Sequence, residues 1–328
     1  MLKITESHIK DAIITAKNLS EIREDGSQFQ GISNFSEPLQ TIKNRSASEQ
    51  LFTSFLTRNN FNFDQLDKIL TKNKEERNVV LEKLKAEAFK ESIKSKDKIS
   101  TIIELQRKNI KNLTEAVSAP YPFYVVLDKP FLIWPTKGLY FDDSHYESWN
   151  SWGKVKLDSS KPSEYGGISE MLTFYFMWQN PFDKWAVINA DGYLIHNGFC
   201  SVQSDSGYFA GDRRSSVSIQ ANLNPMEWWN QPPTQPMAQS GQYVQIFHIS
   251  CDSGGTFDFD GGFNGGYVFR GSDSQYKLMI IPPKGVVVFE VVSVISYSNG
   301  VNGGTAHVDF SSNDFKIICP FILLAVLT

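Results

Sequence analysis

The chain has 328 residues, of which 41% are hydrophobic, 21% charged and 13% aromatic, enough to build one large or two medium globular domains. Lys and Arg number 32 against 36 Asp and Glu, a net charge of −4 that excludes a strongly basic nucleic-acid binder and gives no attraction to anionic lipid. Three cysteines are too few for a disulfide-dense secreted scaffold.

The start, Met1-Leu2-Lys3-Ile4-Thr5-Glu6-Ser7-His8, mixes charge with apolar residues and lacks the apolar run of a secretory signal. The expectation is synthesis in the cytoplasm, with any action outside a cell reached by lysis, a dedicated secretion machine or a larger particle. Ser7 can cap a first helix over 8–19, where Ile9, Ala12, Ile13, Ala16 and Leu19 recur at three- and four-residue spacing. Residues 25–45 have loop composition. From Glu75 to Val117 there is neither Gly nor Pro, which predicts one very long helix or a helical hairpin broken in the polar stretch 90–98. A heptad rhythm over 99–117, with Ile103, Ile110 and Val117 in one seam position and Ile99, Gln106 and Leu113 in the other, reads either as a stripe packed on neighbouring helices or as a short coiled coil joining copies of the chain.

The composition breaks sharply near residue 119. All seven Trp, all twelve Tyr and all three Cys follow residue 120, as do twenty of the 22 Gly. Residues 1–119 carry 20 Lys and Arg against 17 Asp and Glu; residues 120–328 carry 12 against 19, so the net charge changes from +3 to −7. Pro120 and Pro122 stop a helix and hold the chain extended. The expectation is α+β with two segregated domains: all-α over 1–119, for assembly or docking, then an antiparallel, jelly-roll-like β-sandwich over 120–328.

In the second half, runs of strand length alternate with Gly, Asn, Asp and Pro clusters. Candidate strands are 123–127, 171–178, 185–189, 193–202, 215–223, 243–249, 276–281, 286–297, 305–310 and 315–327. Residues 217–223 alternate strictly, predicting one wet face, whereas Val286 to Val292 is apolar almost throughout, predicting burial on both faces. The apolar end, 317–327, is too short to span a membrane and reads as a final strand.

No catalytic signature appears. The five histidines are dispersed, and His196 and His248 fall within candidate strands. Cys200, Cys251 and Cys319 have no metal-site spacing and read as buried thiols. Asp-Ser-Gly follows a cysteine strand at 205–207 and again at 252–254. Two tight turns explain this; a sharper reading makes Asp252, Asp258 and Asp260 oxygen ligands for Ca²⁺. Trp149 and Trp152, and separately Trp228, Trp229 and Asn230, lie in loop-like stretches, where aromatic faces beside amides suit either a sandwich plug or a ligand platform.

The function these features predict is a non-enzymatic attachment protein that recognises a glycan or protein receptor. One alternative is a membrane-acting, pore-forming toxin. A second is a sandwich glycoside hydrolase using two acids from among Glu164, Glu170, Asp191, Glu227 and Asp258.

Overall fold

A computed structural model describes residues 5–24, 50, 54–55, 57–59, 62–116, 123–159, 168–204, 215–228, 237–238, 244–251, 257–261, 266–270, 279–299 and 304–328. Two helices precede the strands: α1 (Glu6–Glu24) and α2 (Phe63–Ala116). The strands are β1 (Phe123–Leu127), β2 (Leu132–Pro135), β3 (Tyr140–His145), β4 (Trp152–Ser159), β5 (Ile168–Gln179), β6 (Ala186–Asn197), β7 (Phe199–Gln203) and β8 (Ser215–Glu227). They continue with β9 (Met237–Ala238), β10 (Val244–Cys251), β11 (Phe257–Gly261), β12 (Gly266–Arg270), β13 (Met279–Ile281), β14 (Val286–Asn299), β15 (Thr305–Phe310), β16 (Lys316–Ile318) and β17 (Ile322–Leu327).

The strands form two antiparallel sheets. Sheet A runs β1-β17-β6-β16-β4-β15-β7-β11, and sheet B runs β10-β8-β14-β5-β2. Their inner faces make one core in which Leu172, Phe174 and Phe176 of β5 and Val287, Phe289 and Val291 of β14 meet Leu194, Val308, Phe310 and Leu324 of sheet A. The predicted two-sided burial of β14 holds, because Val286 and Val288 point outward beneath α1. All three cysteines are free and buried. Between β6 and β7 the chain turns at Gly198, where a Cβ would lie 2.3 Å from the Asp309 carbonyl oxygen, so no larger residue fits without a shift.

A polar pair crosses this core. His196 is fully buried and its Nε2 lies 2.8 Å from Ser293 Oγ on the opposite sheet. Burial holds the imidazole neutral, with its pKa pushed down to about 3.

The helices are laid on the outer faces of the sandwich. Helix α1 starts two residues before the sequence reading has it, capped by Thr5 in place of Ser7: the His8 N–H donates to Thr5 Oγ1 at 3.5 Å. It anchors on sheet B through Ile9 and Ile13, which join Leu132, Tyr175, Met226 and Trp228. Two buried isoleucines contribute about 1.5–3 kcal/mol each, a small return for ordering 19 residues.

Helix α2 is capped by Asn62, whose Oδ1 accepts from the Gln65 N–H at 2.8 Å, and it is a single helix of 54 residues. Its polar centre is no break. Ser92 and Ser95 are buried, and each satisfies its hydroxyl on the helix's own backbone, Ser92 on the Phe89 carbonyl and Ser95 on that of Glu91. With Ala88 they form a narrow stripe of small side chains that continues the four-three rhythm of Ile99, Ile103 and Ile110. Opposite that stripe, Lys–Glu and Arg–Glu pairs such as Lys94–Glu91 and Arg107–Glu104 keep the far side in water.

The heptad stripe therefore has a partner within the chain. Ile99, Ile103 and Ile110 pack on Tyr193, Ile195, Ile318 and Phe321 of sheet A. The polar seam residue Gln106 has a purpose there, since it hydrogen-bonds the phenol of buried Tyr193. Association of copies through 99–117 would have to use what this packing leaves out, chiefly Leu105 and Leu113, which are 55% and 45% exposed.

Candidate functional site

The sequence-selected tryptophans are placed on opposite sides of the sandwich. Trp228 is buried at 2% exposure beneath α1 on sheet B. Trp149 and Trp152 sit on sheet A beside α2. Trp149 takes a positive φ of 66°, donates its N–H to the Asp128 carbonyl at 2.8 Å, and lays its ring between Phe321 (5.2 Å) and the Arg107 guanidinium (5.8 Å). It bolts helix to sheet. The side chains of Trp229 and Asn230 lie outside the described residues, as do those of Asp252, Asp258 and Asp260 and those of the candidate acids Glu164 and Glu227. Glu170 on sheet B accepts from the Thr136 hydroxyl, whereas Asp191 belongs to sheet A, so these two acids are not brought to one sheet. Among the described residues no three His, Cys, Asp or Glu are grouped to hold a metal ion.

Trp152 differs from the other two. It opens strand β4, where a loop was expected, and its ring is only partly covered. The cross-strand register sets His145 of edge strand β3 directly beside it, and the two rings stack at 5.6 Å with a 25° tilt. Alternation along β4 places Lys154 on the same face, and β16 contributes Lys316. Their ammonium groups lie 5.8 Å and 5.2 Å from the Trp152 ring centroid, within cation–π range. Lys154 also donates to the Asn313 carbonyl at 3.0 Å.

This corner is electropositive in an otherwise acidic half of the chain. Burial pushes the Lys316 ammonium below the ordinary lysine value; Asp314 opposes that, and the like charges of Lys96 on α2 and Lys154 add to it. At the rim, Glu147 accepts from Asn150 Nδ2 at 3.0 Å and lies 3.1 Å from His145 Nε2. The Asn150 and His145 hydrogen bonds hold the Glu147 carboxyl below the usual carboxylate range, so Glu147 fixes the histidine ring while remaining charged. The result is a partly exposed indole with an imidazole stacked on it and two ammonium groups over its ring, and an amide at the rim. Such a surface can hold an anion on its ammonium groups against an aromatic wall.

Lys154, Lys316 and Lys96 were missed from sequence. The alternation Trp152, Lys154, Lys156 is visible there; the arrival of Lys316 and Lys96 depends on strand order and helix docking.

No family model matches the chain, and no curated protein matches it. Solved structures align at low scores. One is a carbohydrate-binding module studied for specific mannan recognition, with 12% identity over 62% of this chain and 99% of that chain, at a TM-score of 0.21. Another is a family 11 carbohydrate-binding module from Clostridium thermocellum in complex with a β-1,3-1,4-mixed-linked tetrasaccharide, with 8% identity, 61% and 96% coverage and a TM-score of 0.18. A third is the enzymatically active domain of tailspike protein 4 of bacteriophage CBA120, with 12% identity, 60% and 19% coverage and a TM-score of 0.16. Likeness at these scores carries no argument for this chain. No helix among the described residues is long and apolar enough to cross a membrane.

Proposed function

We propose that the protein is a non-enzymatic carbohydrate-binding protein, and that Trp152 with Lys154, Lys316 and His145 receives a sugar bearing a carboxylate. The observation that supports this reading is the convergence of two ammonium groups, 5.2 and 5.8 Å from the centroid, on one partly exposed indole. The exposed part of the indole–imidazole pair would lie against the C–H groups of a pyranose while the lysines pair with the acid group; the burial of Lys316 removes water that would otherwise screen that pair. Recognition by a β-sandwich edge, with helices covering the sheet faces, needs no catalytic group.

The test is a calorimetric titration with oligogalacturonate, with neutral oligosaccharide of equal length as the control. Trp152→Ala and Lys316→Ala are each expected to weaken oligogalacturonate binding about tenfold or more, and raising the salt to 1 M should weaken it further. Absence of acidic-sugar binding, or binding indifferent to Trp152→Ala, overturns the proposal. Salt-sensitive binding of an acidic peptide that ignores Trp152 would assign the lysines to protein recognition instead.

A further inference from the structure

The outer face of sheet B is built unlike a surface meant only to receive a helix. The inner faces of β5 and β14 carry Leu172, Phe174, Phe176, Val287, Phe289 and Val291. Their outer faces, continued into β8 and β2, carry polar groups in register. One cross-strand row reads Asn224, Glu290, Tyr175, Leu132; the next reads Asn222, Val292, Thr173, Trp134. Asn222 donates to Asn224 Oδ1 at 2.8 Å, and the Tyr175 phenol lies against the Glu290 carboxylate, which with burial holds it protonated.

Among the described residues, and besides the Tyr175 phenol, three polar atoms on this side of the sandwich are buried with no hydrogen-bond partner: the indole Nε1 of Trp134, the indole Nε1 of Trp228 and the Oδ1 of Asn222. Helix α1 covers the face with Ile9 and Ile13, which offer those atoms nothing. Its one described polar reach is Lys17, with Nζ 3.8 Å from Glu290 Oε1. Buried polar groups are normally satisfied, so these three atoms beneath one lightly anchored helix are two donors and an acceptor that a ligand on this face could serve.

We infer that α1 is a displaceable cover, and that the sheet B face beneath it is a second binding site, for a neutral oligosaccharide. Sugar hydroxyls both donate and accept, so they can serve two indole N–H donors and an amide oxygen at once, which water-excluding aliphatic side chains cannot. Indole and phenol rings supply stacking faces. Four strands abreast span about 14 Å, the length of a short oligosaccharide. Neutrality follows from charge: once α1 lifts, Lys17 leaves with it and Glu290 remains to repel an acidic sugar. This site is therefore independent of the one at Trp152.

The experiment uses the full chain carrying Ile9→Asp and Ile13→Asp, which expel the helix. Release is read as complete early hydrogen exchange at the amides of residues 6–18. The probes are cellohexaose and mannohexaose. If the closed state dominates the wild type, the opened protein is expected to bind one of them about tenfold tighter or better, in proportion to the gain in open population. Adding Trp134→Ala should remove that gain and leave oligogalacturonate binding unchanged. A released helix with no gain for either probe overturns the inference. Should the double variant misfold, the wild type decides: millimolar probe should speed exchange over residues 6–18, and unchanged exchange overturns it equally.

Discussion

Lowering the pH from 7 to 4 is expected to cost the folded protein about 3 kcal/mol through one imidazole, that of His196. The folded pKa is about 3 against an ordinary value of 6.5, because the ring is fully buried between the sheets. Below pH 6.5 the unfolded chain takes up a proton that the folded chain refuses, so the unfolded state holds more protons. Stability is thus fully present above 6.5, declines as pH falls towards 3, and is level below that. The measurement is the urea midpoint at pH 7 and pH 4 for the wild type and for His196→Gln, which can keep a hydrogen bond to the Ser293 hydroxyl without titrating. Half-buried His307, also held down chiefly by desolvation, and Asp309 add acid sensitivity of the same sign to both proteins, and the comparison cancels them. Equal acid losses in the two proteins would show that His196 is not the cause.

Strand period and turn chemistry made most of the β half legible. Residues 123–127 and 305–310 are strands at the predicted bounds, and the apolar run at 286–292 announced a central strand covered on both sides. The strands that escaped notice, β2, β3, β4, β9, β11 and β12, are short or mix charge with aromatics. In β4 the pattern Trp152, Lys154, Lys156 alternates with Gly153, Val155 and Leu157, but a lysine-rich outer face lies under the flank of a helix and so does not read as a strand facing water. Helix α2 was legible in existence and obscure in its middle. Serine scores as polar, so Ser92 and Ser95 look like an exposed break, although their small size is what lets the helix lie close to the sheet.

The candidate site was half legible for a related reason. Tryptophan beside amides draws attention wherever it falls, and by that signal alone Trp149, Trp152 and Trp228 are equivalent. What separates them is coverage: Trp228 is sealed under α1, Trp149 is clamped by Phe321 and Arg107, and Trp152 stays partly open with ammonium groups beside it. Most of that coverage comes from residues more than forty positions away, such as Ile9, Arg107 and Phe321, and no local pattern carries it.

The other large expected effect concerns whether the helical layer and the sandwich stand alone. Phe315, at 0% exposure, is wedged between Phe89 of α2 (5.4 Å) and Phe199 of β7 (5.8 Å), with Ala88 completing the cluster. Phe315→Ala removes a ring from a junction that two rigid elements cannot close, at an expected cost of about 3–5 kcal/mol. Because that junction belongs equally to helix and sheet, the wild type should unfold in one transition, and the variant should lower the helical far-ultraviolet signal and the tryptophan near-ultraviolet signal together. Ile93→Ala, at a site on α2 that is 63% exposed, should change stability by less than about 0.5 kcal/mol and serves as the control. Loss of the helical signal ahead of the tryptophan signal would mean that the helices and the sandwich are separate folding units that divide near residue 119, where the composition breaks. Coincident loss would mean that α2, for all its charge, is a third layer of the sandwich: its small-residue stripe, the Gln106–Tyr193 bond and the Phe89 wedge are then parts of one core, and that layer adds the charge of Lys96 to the positive corner around Trp152.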